Sequence, residues 1–121
     1  MIENQPAAFL SADATNGGTN NLFYGVDAPW SVYTEYVVDS DGKLTVGTGK
    51  NSSQGKQTLY GGLRMGGLSY YALDVRNVSD PVLKFRINPG TASSGSPLSY
   101  MGQSWSKPKI AWVRWGGQRK L

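Results

Sequence analysis

The chain has no cysteine and no histidine among its 121 residues. Zinc sites built from the usual ligands, thiol nucleophiles and imidazole acid–base catalysis are therefore all excluded. Long apolar runs are missing too, since nothing approaches the roughly 20 residues that a membrane-spanning helix needs. Positive charge is absent from residues 1–42, where six acids stand (Glu3, Asp13, Asp27, Glu35, Asp39 and Asp41). With neither a basic n-region nor an apolar stretch over residues 1–10, the start does not read as a secretory signal. Only 17% of residues are charged, and the Ala/Leu/Glu/Lys runs typical of helical bundles are lacking.

What is present is glycine (16 residues), seven tyrosines and four tryptophans within a 39% hydrophobic composition. That is too apolar for a disordered chain and favours short strands joined by turns. The length fits one domain. The chain reads as all-β.

The net charge of +4 conceals a strong asymmetry. Residues 43–121 hold twelve bases against two acids, Asp74 and Asp80, for a local charge of +10 beside −6 in residues 1–42. Such polarity can mark a basic face for nucleic acid or anionic lipid. The bases are scattered over strand and loop positions, however, which favours halves that face each other or face neighbours.

Residues 1–23 read as a polar lead-in, with Asn16-Gly-Gly-Thr-Asn-Asn21 as loop chemistry. Residues 31–38 predict a strand with Val32, Thr34, Tyr36 and Val38 on one side, and Asp39-Ser-Asp-Gly42 then turns the chain into a partner strand over residues 43–46. Residues 47–56 read as a mobile surface loop. A meander follows, with strands over residues 57–63, 69–75 and 82–87 and a corner at Arg64-Met-Gly-Gly67. In the third strand, Leu83, Phe85 and Ile87 are expected to face a core and Lys84 and Arg86 to face water. After a Pro/Gly/Ser loop over residues 88–97, residues 109–115 predict a strand apolar on both faces, as in a larger stack. Trp115-Gly-Gly-Gln118 is a two-residue hairpin signal. The return strand has four residues before Leu121, so truncation at the C-terminus is expected.

The most informative stretch is Leu59-Tyr-Gly-Gly-Leu-Arg-Met-Gly-Gly-Leu68-Ser-Tyr-Tyr-Ala-Leu-Asp-Val75, framed by Tyr24-Gly-Val-Asp27, Asp80-Pro81 and Met101-Gly-Gln-Ser-Trp-Ser-Lys-Pro108. In that order and spacing, residues 24–121 resemble the propeller domain of the PilC/PilY family of type IV pilus biogenesis and tip-adhesin proteins. The resemblance implies a fragment of a β-propeller, about one blade plus parts of its neighbours. It further implies a non-enzymatic, extracellular or cell-surface role in pilus assembly and adhesion, with pilus components and host or environmental surfaces as partners. No nucleic acid, membrane span or small-molecule substrate is implied. The family's calcium loop lies beyond the end of this chain, and no catalytic, cofactor-binding or metal residue is assigned within it.

Each motif has a plainer explanation beside the functional one. Tyr70-Tyr-Ala-Leu-Asp74 also occurs in the blade repeat of quinone-dependent dehydrogenases, but it builds a blade: Tyr71 and Leu73 pack, and Asp74 suits the turn that follows. The pairs Gly61-Gly62 and Gly66-Gly67 around Arg64 could form a backbone nest for an anion, or simply permit close strand approach and a tight corner. The structural reading is preferred, and where the family places Arg after the second pair this chain has Leu68. Val46-Gly-Thr-Gly-Lys-Asn-Ser52 fails as a phosphate loop because Leu44 stands where the first glycine should be. Asp39 and Asp41 could bind calcium weakly, but Val37 and Thr48 occupy the positions where the loop needs carboxylates. Trp105, Trp112 and Trp115, interleaved with Lys107, Lys109, Arg114, Arg119 and Lys120, suit single-stranded nucleic acid or the uncovered core of an unfinished blade, and the second reading is preferred. Tyr71 and Trp105 are expected to be packing residues. Two rival functions remain: a fragment of a pyrroloquinoline quinone enzyme, and a small basic nucleic-acid-binding β domain.

Overall fold

The computed structural model describes residues 25–121, and these are mostly strands in antiparallel sheets, linked by turns and short 3-10 segments. The polar lead-in of residues 1–23, and Tyr24 of the motif frame, lie outside the described residues. The all-β expectation holds. Eight strands occur among the described residues: β1 (Ser31–Glu35), β2 (Val37–Val38), β3 (Leu44–Thr45), β4 (Lys56–Gly62), β5 (Tyr70–Asp74), β6 (Val82–Ile87), β7 (Val113–Trp115) and β8 (Gln118–Lys120).

The centre is a four-stranded antiparallel sheet in the order β1-β4-β5-β6. Each neighbour is also the next long strand in sequence, so the sheet is a meander with one small hairpin, β2-β3, inserted after its first strand. Tyr36 interrupts the strand expected over residues 31–38, splitting it into β1 and β2, which belong to different sheets. The return strand of that hairpin is shorter than expected, Leu44–Thr45. Its turn is as expected: Asp39 Oδ1 accepts from the backbone N–H of Asp41 at 2.9 Å and of Lys43 at 2.8 Å, and Gly42 takes φ +82°.

Residues 47–56 are pinned instead of loose. Gly49 N–H donates to Ser53 O at 2.7 Å, Gly55 N–H donates to Gly47 O at 2.8 Å, and Thr48 bridges Gln54. The Arg64 corner is one 3-10 turn, Arg64–Gly66, and β6 keeps its expected bounds.

Register assigns the faces. Tyr60 stands opposite Ala72, and Ala72 opposite Phe85, so these three share one face with Ser31, Tyr70 and Ile87. Val32, Leu59, Leu73 and Leu83 share the other with Gly61 and Tyr71. The common face expected for Leu83, Phe85 and Ile87 is wrong. A bulge lets Leu73 face Leu83 while Ala72 faces Phe85, so Lys84 is the extra residue and the alternation restarts. Nor do they reach a core: β6 is an edge strand, exposed throughout.

Close packing comes from small residues. Ala72, Ser69 and Ser104 are fully buried and Thr58, Leu63 and the glycines 61, 62, 66 and 67 are nearly or wholly so, and no larger side chain than serine is fully buried among the described residues. Gly61 lies against the Trp30 indole, where an added Cβ would meet ring atoms at 2.0–2.4 Å. At Gly62 an added Cβ would meet Ser104 atoms at 2.5–2.8 Å. Glycine here allows close approach, not a special turn.

The strand expected over residues 109–115 is also corrected. Only Val113–Trp115 is strand, paired with Gln118–Lys120 through a turn in which Gly116 and Gly117 take φ +57° and +77°. Lys109, Ile110 and Ala111 run beside Tyr60 and Phe85 of the central sheet instead.

Candidate functional site: the glycine corner and the apolar groove

Three of the stretches that carry the family resemblance meet at one place. A strap over residues 104–108 crosses the Tyr60 face of the sheet. Ser104 Oγ accepts the backbone N–H of Leu63 at 2.8 Å and lies 3.5 Å from Gly67 O, so one hydroxyl joins the two glycine pairs. Tyr70 OH and Ser106 exchange two hydrogen bonds: the phenol donates to Ser106 O at 3.2 Å and accepts Ser106 N–H at 3.1 Å. Ser31 Oγ donates to Pro108 O and holds the far end of the strap on β1.

Asp27 closes the corner from the opposite end of the chain. Its carboxylate accepts Met65 N–H at 3.2 Å and its carbonyl accepts from Arg64 at 3.4 Å. Arg64 takes φ +49°, a left-handed conformation unusual outside glycine. Its guanidinium lies 5.3 Å from the centroid of the Trp105 ring. The nest considered for this corner thus has an acid supplied by the chain itself. Trp105 is not a buried packing residue, since 49% of it is exposed.

Beside the strap runs an apolar groove in two connected parts. Tyr60, Tyr70, Phe85, Ile87, Ser106 and Pro108 line a part of about 290 Å³. Tyr60, Phe85 and Pro108 continue with Lys109, Ile110, Ala111 and Leu121 around a further 210 Å³ or so. The Tyr60 and Phe85 rings sit 6.4 Å apart, tilted by 49°. Phe85 and Ile87 remain 49% and 38% exposed, so the groove is an open apolar surface and not a closed core.

A second, polar cleft of about 390 Å³ lies at the other end of β5, between the Asp74–Arg76 ion pair and Thr48, Gln54, Asn77 and Asp80. Asp74 accepts Arg76 N–H as well as its side chain, which is the turn role expected of it. The Arg76 hydrogen bonds hold the Asp74 carboxyl below the ordinary carboxylate value. At the β1–β4 edge, Lys56 pairs with Glu35 at 2.9 Å. That bond, and then the Tyr33 hydroxyl, hold Glu35 low, and the same pair holds Lys56 high. Glu35–Lys56 joins the acidic first part of the chain to its basic remainder by an ion pair, whereas Arg64 meets Asp27 at the backbone carbonyl.

Asp39 Oδ1 is engaged by two backbone amides, and among the described residues no three Asp, Glu, His or Cys side chains come together. Trp105, Trp112 and Trp115 are not brought together into one platform. Trp105 stacks with Arg64, Trp112 with Arg119, and Trp115 is 72% exposed at the hairpin turn. Also among the described residues, no helix is long and apolar enough to cross a membrane. Ser104, Ser106 and Asp27 are the site residues whose roles the sequence hid, because a serine that fills the space over a glycine has no local pattern. No family model, no curated protein and no solved structure matches this chain.

Proposed function

We propose that the chain is part of a β-propeller of the PilC/PilY type and works, without making or breaking bonds, in type IV pilus assembly and surface adhesion. The observation that carries this reading is the convergence of the resembling motifs. Asp27, the Gly61–Gly67 corner, Tyr70 and the Ser104–Pro108 strap are far apart in sequence, yet they hold one corner together by side-chain hydrogen bonds.

The four-stranded meander with apolar residues on both faces is what a propeller blade requires, because a blade buries its faces on its neighbours. In this reading the groove beside Tyr60 and Phe85 receives the adjacent blade, and the turns at the strand ends form the outer surface that meets pilus components or other cells. The site of action is the cell exterior. Deleting residues 56–87 in frame in the bacterium that encodes the chain tests it. Loss of surface pili and of adherence is the expected result, whereas unchanged pilus number and unchanged adherence would sink the reading.

A further inference from the structure

The β7–β8 hairpin carries a charge arrangement that blade packing leaves unexplained. Its two-residue turn sets Arg114 directly opposite Arg119, Val113 opposite Lys120 and Trp115 opposite Gln118. Alternation puts both arginines on one face with Trp112, and Trp115 with Lys120 on the other. The Arg119 guanidinium lies 4.6 Å from the centroid of the Trp112 ring. All six strand residues of the hairpin are exposed.

Like charges directly opposite each other destabilise a strand pair. Neither arginine has a carboxylate to offset this, since the side-chain ion pairs among the described residues are Lys56–Glu35 and Arg76–Asp74. None is near in sequence either: residues 81–121 contain seven bases and no acid. A polyanion is the complement this surface lacks.

We propose that this face binds a linear acidic polysaccharide, with its sulfate or uronate groups bridging Arg114 and Arg119. Each guanidinium offers a planar fork of donors to such an anion, and an anion between the two turns their repulsion into two attractive contacts. Stacking on Trp112 holds Arg119 in place beforehand, which lowers the ordering cost of binding. Nucleic acid fits less well, because base stacking needs a free ring beside the cations. Here Trp112 lies under Arg119, and Trp115 belongs to the opposite face, where Lys120 is the one cation of the hairpin beside it. An anionic membrane would favour exposed apolar side chains beside the cations, and the exposed Trp115 lies on the face opposite the arginine pair. The inference does not depend on the propeller reading, because the site is complete within residues 112–120.

The test titrates the whole chain calorimetrically with heparin and, separately, with polygalacturonate, at about 0.15 M salt. Saturable binding of at least one is expected, weakened about tenfold by Arg114→Gln and likewise by Arg119→Gln. The double variant Arg114→Lys/Arg119→Lys keeps the charge but removes the forks and is expected to bind more weakly than the parent. Lys84→Gln/Arg86→Gln removes the same charge as the two glutamine changes but from β6, and is expected to stay within about twofold of the parent. In the unsubstituted protein, heparin is expected to protect Arg114 and Arg119 from phenylglyoxal, which gives an answer even if a variant misfolds. The proposal is overturned if neither polysaccharide binds, or if the β6 variant loses as much affinity as the hairpin variants. Lysine variants that bind as tightly as the parent, arginines left unprotected, or tighter binding of oligodeoxythymidylate or phosphatidylserine vesicles at the same salt would overturn it equally.

Discussion

Ser104→Ala should destabilise the central sheet by removing a hydroxyl that accepts Leu63 N–H and donates, at 3.5 Å, to Gly67 O. Ser104 is fully buried and its Oγ accepts Leu63 N–H at 2.8 Å, with Leu63 itself only 6% exposed. Alanine keeps the Cβ that lies over Gly62, so most of the packing is preserved and the hydroxyl, acceptor from Leu63 and long donor to Gly67, is what is removed. The orphaned donor cannot reach water without opening the corner, which costs about 1–3 kcal/mol. The internal control is Ser99→Ala. Ser99 Oγ donates to Ser96 O at 2.7 Å but is exposed, so water replaces the partner and the change should be about 0.5 kcal/mol or less. Urea unfolding followed by circular dichroism reads the difference. With a denaturant slope of about 1.5 kcal/mol per molar, the midpoint of Ser104→Ala should fall by roughly 0.7–2 M and that of Ser99→Ala by about 0.3 M or less. Hydrogen exchange localises the effect, with the Leu63 amide losing more protection than the amides of β1. Equal midpoints for the two variants, or a Leu63 amide as protected as in the parent, would refute the assignment of Ser104 as the acceptor that closes the corner.

Gly61→Ala should cost at least the ~1–3 kcal/mol of an overpacked site, because its Cβ would fall 2.0 Å from the Trp30 ring, and a parent-like urea midpoint would show that the indole does not lie there. Trp105→Ala should cost only about 1–2 kcal/mol, less than the ~3–5 kcal/mol of a buried aromatic, since half of the ring is exposed and its marked contact is with Arg64. A larger loss would restore the buried packing role. The sheet should weaken in acid. Glu35 and Asp74 are both held below their ordinary values, so their contribution is present above about pH 4–5 and is lost as pH falls through the lower folded values. The urea midpoint should therefore drop on acidification, less steeply in Glu35→Gln, and an identical pH profile for that variant would remove the Lys56 pair from the explanation.

Local chemistry was legible in the sequence because neighbours in sequence determine it. The Asp39–Gly42 and Gly116-Gly117 turns, the bounds of β6 and the capping role of Asp74 all follow from residue types within a few positions. The facing of Arg114 and Arg119 was readable on the same terms, since a two-residue turn fixes which residues lie opposite. The bulge at Lys84 was not, because unbroken alternation in one strand says nothing about the register its partner imposes. Residues 109–112 read as strand from their apolar content, but a strand also needs a partner for its backbone, and β8 pairs only with residues 113–115.

What the tertiary structure alone decided is how the glycine corner is closed. Its glycines announce close approach without saying what approaches. The answer is a serine 41 positions after the amide it accepts and an aspartate 38 positions before the amide it caps. Such contacts depend on where the folded sheet delivers distant segments, so no local pattern of residue types encodes them. The all-β character follows from composition and alternation, which act on every residue separately. The corner, the strap and the open groove arise only when the meander brings β4 and β5 under residues 104–108.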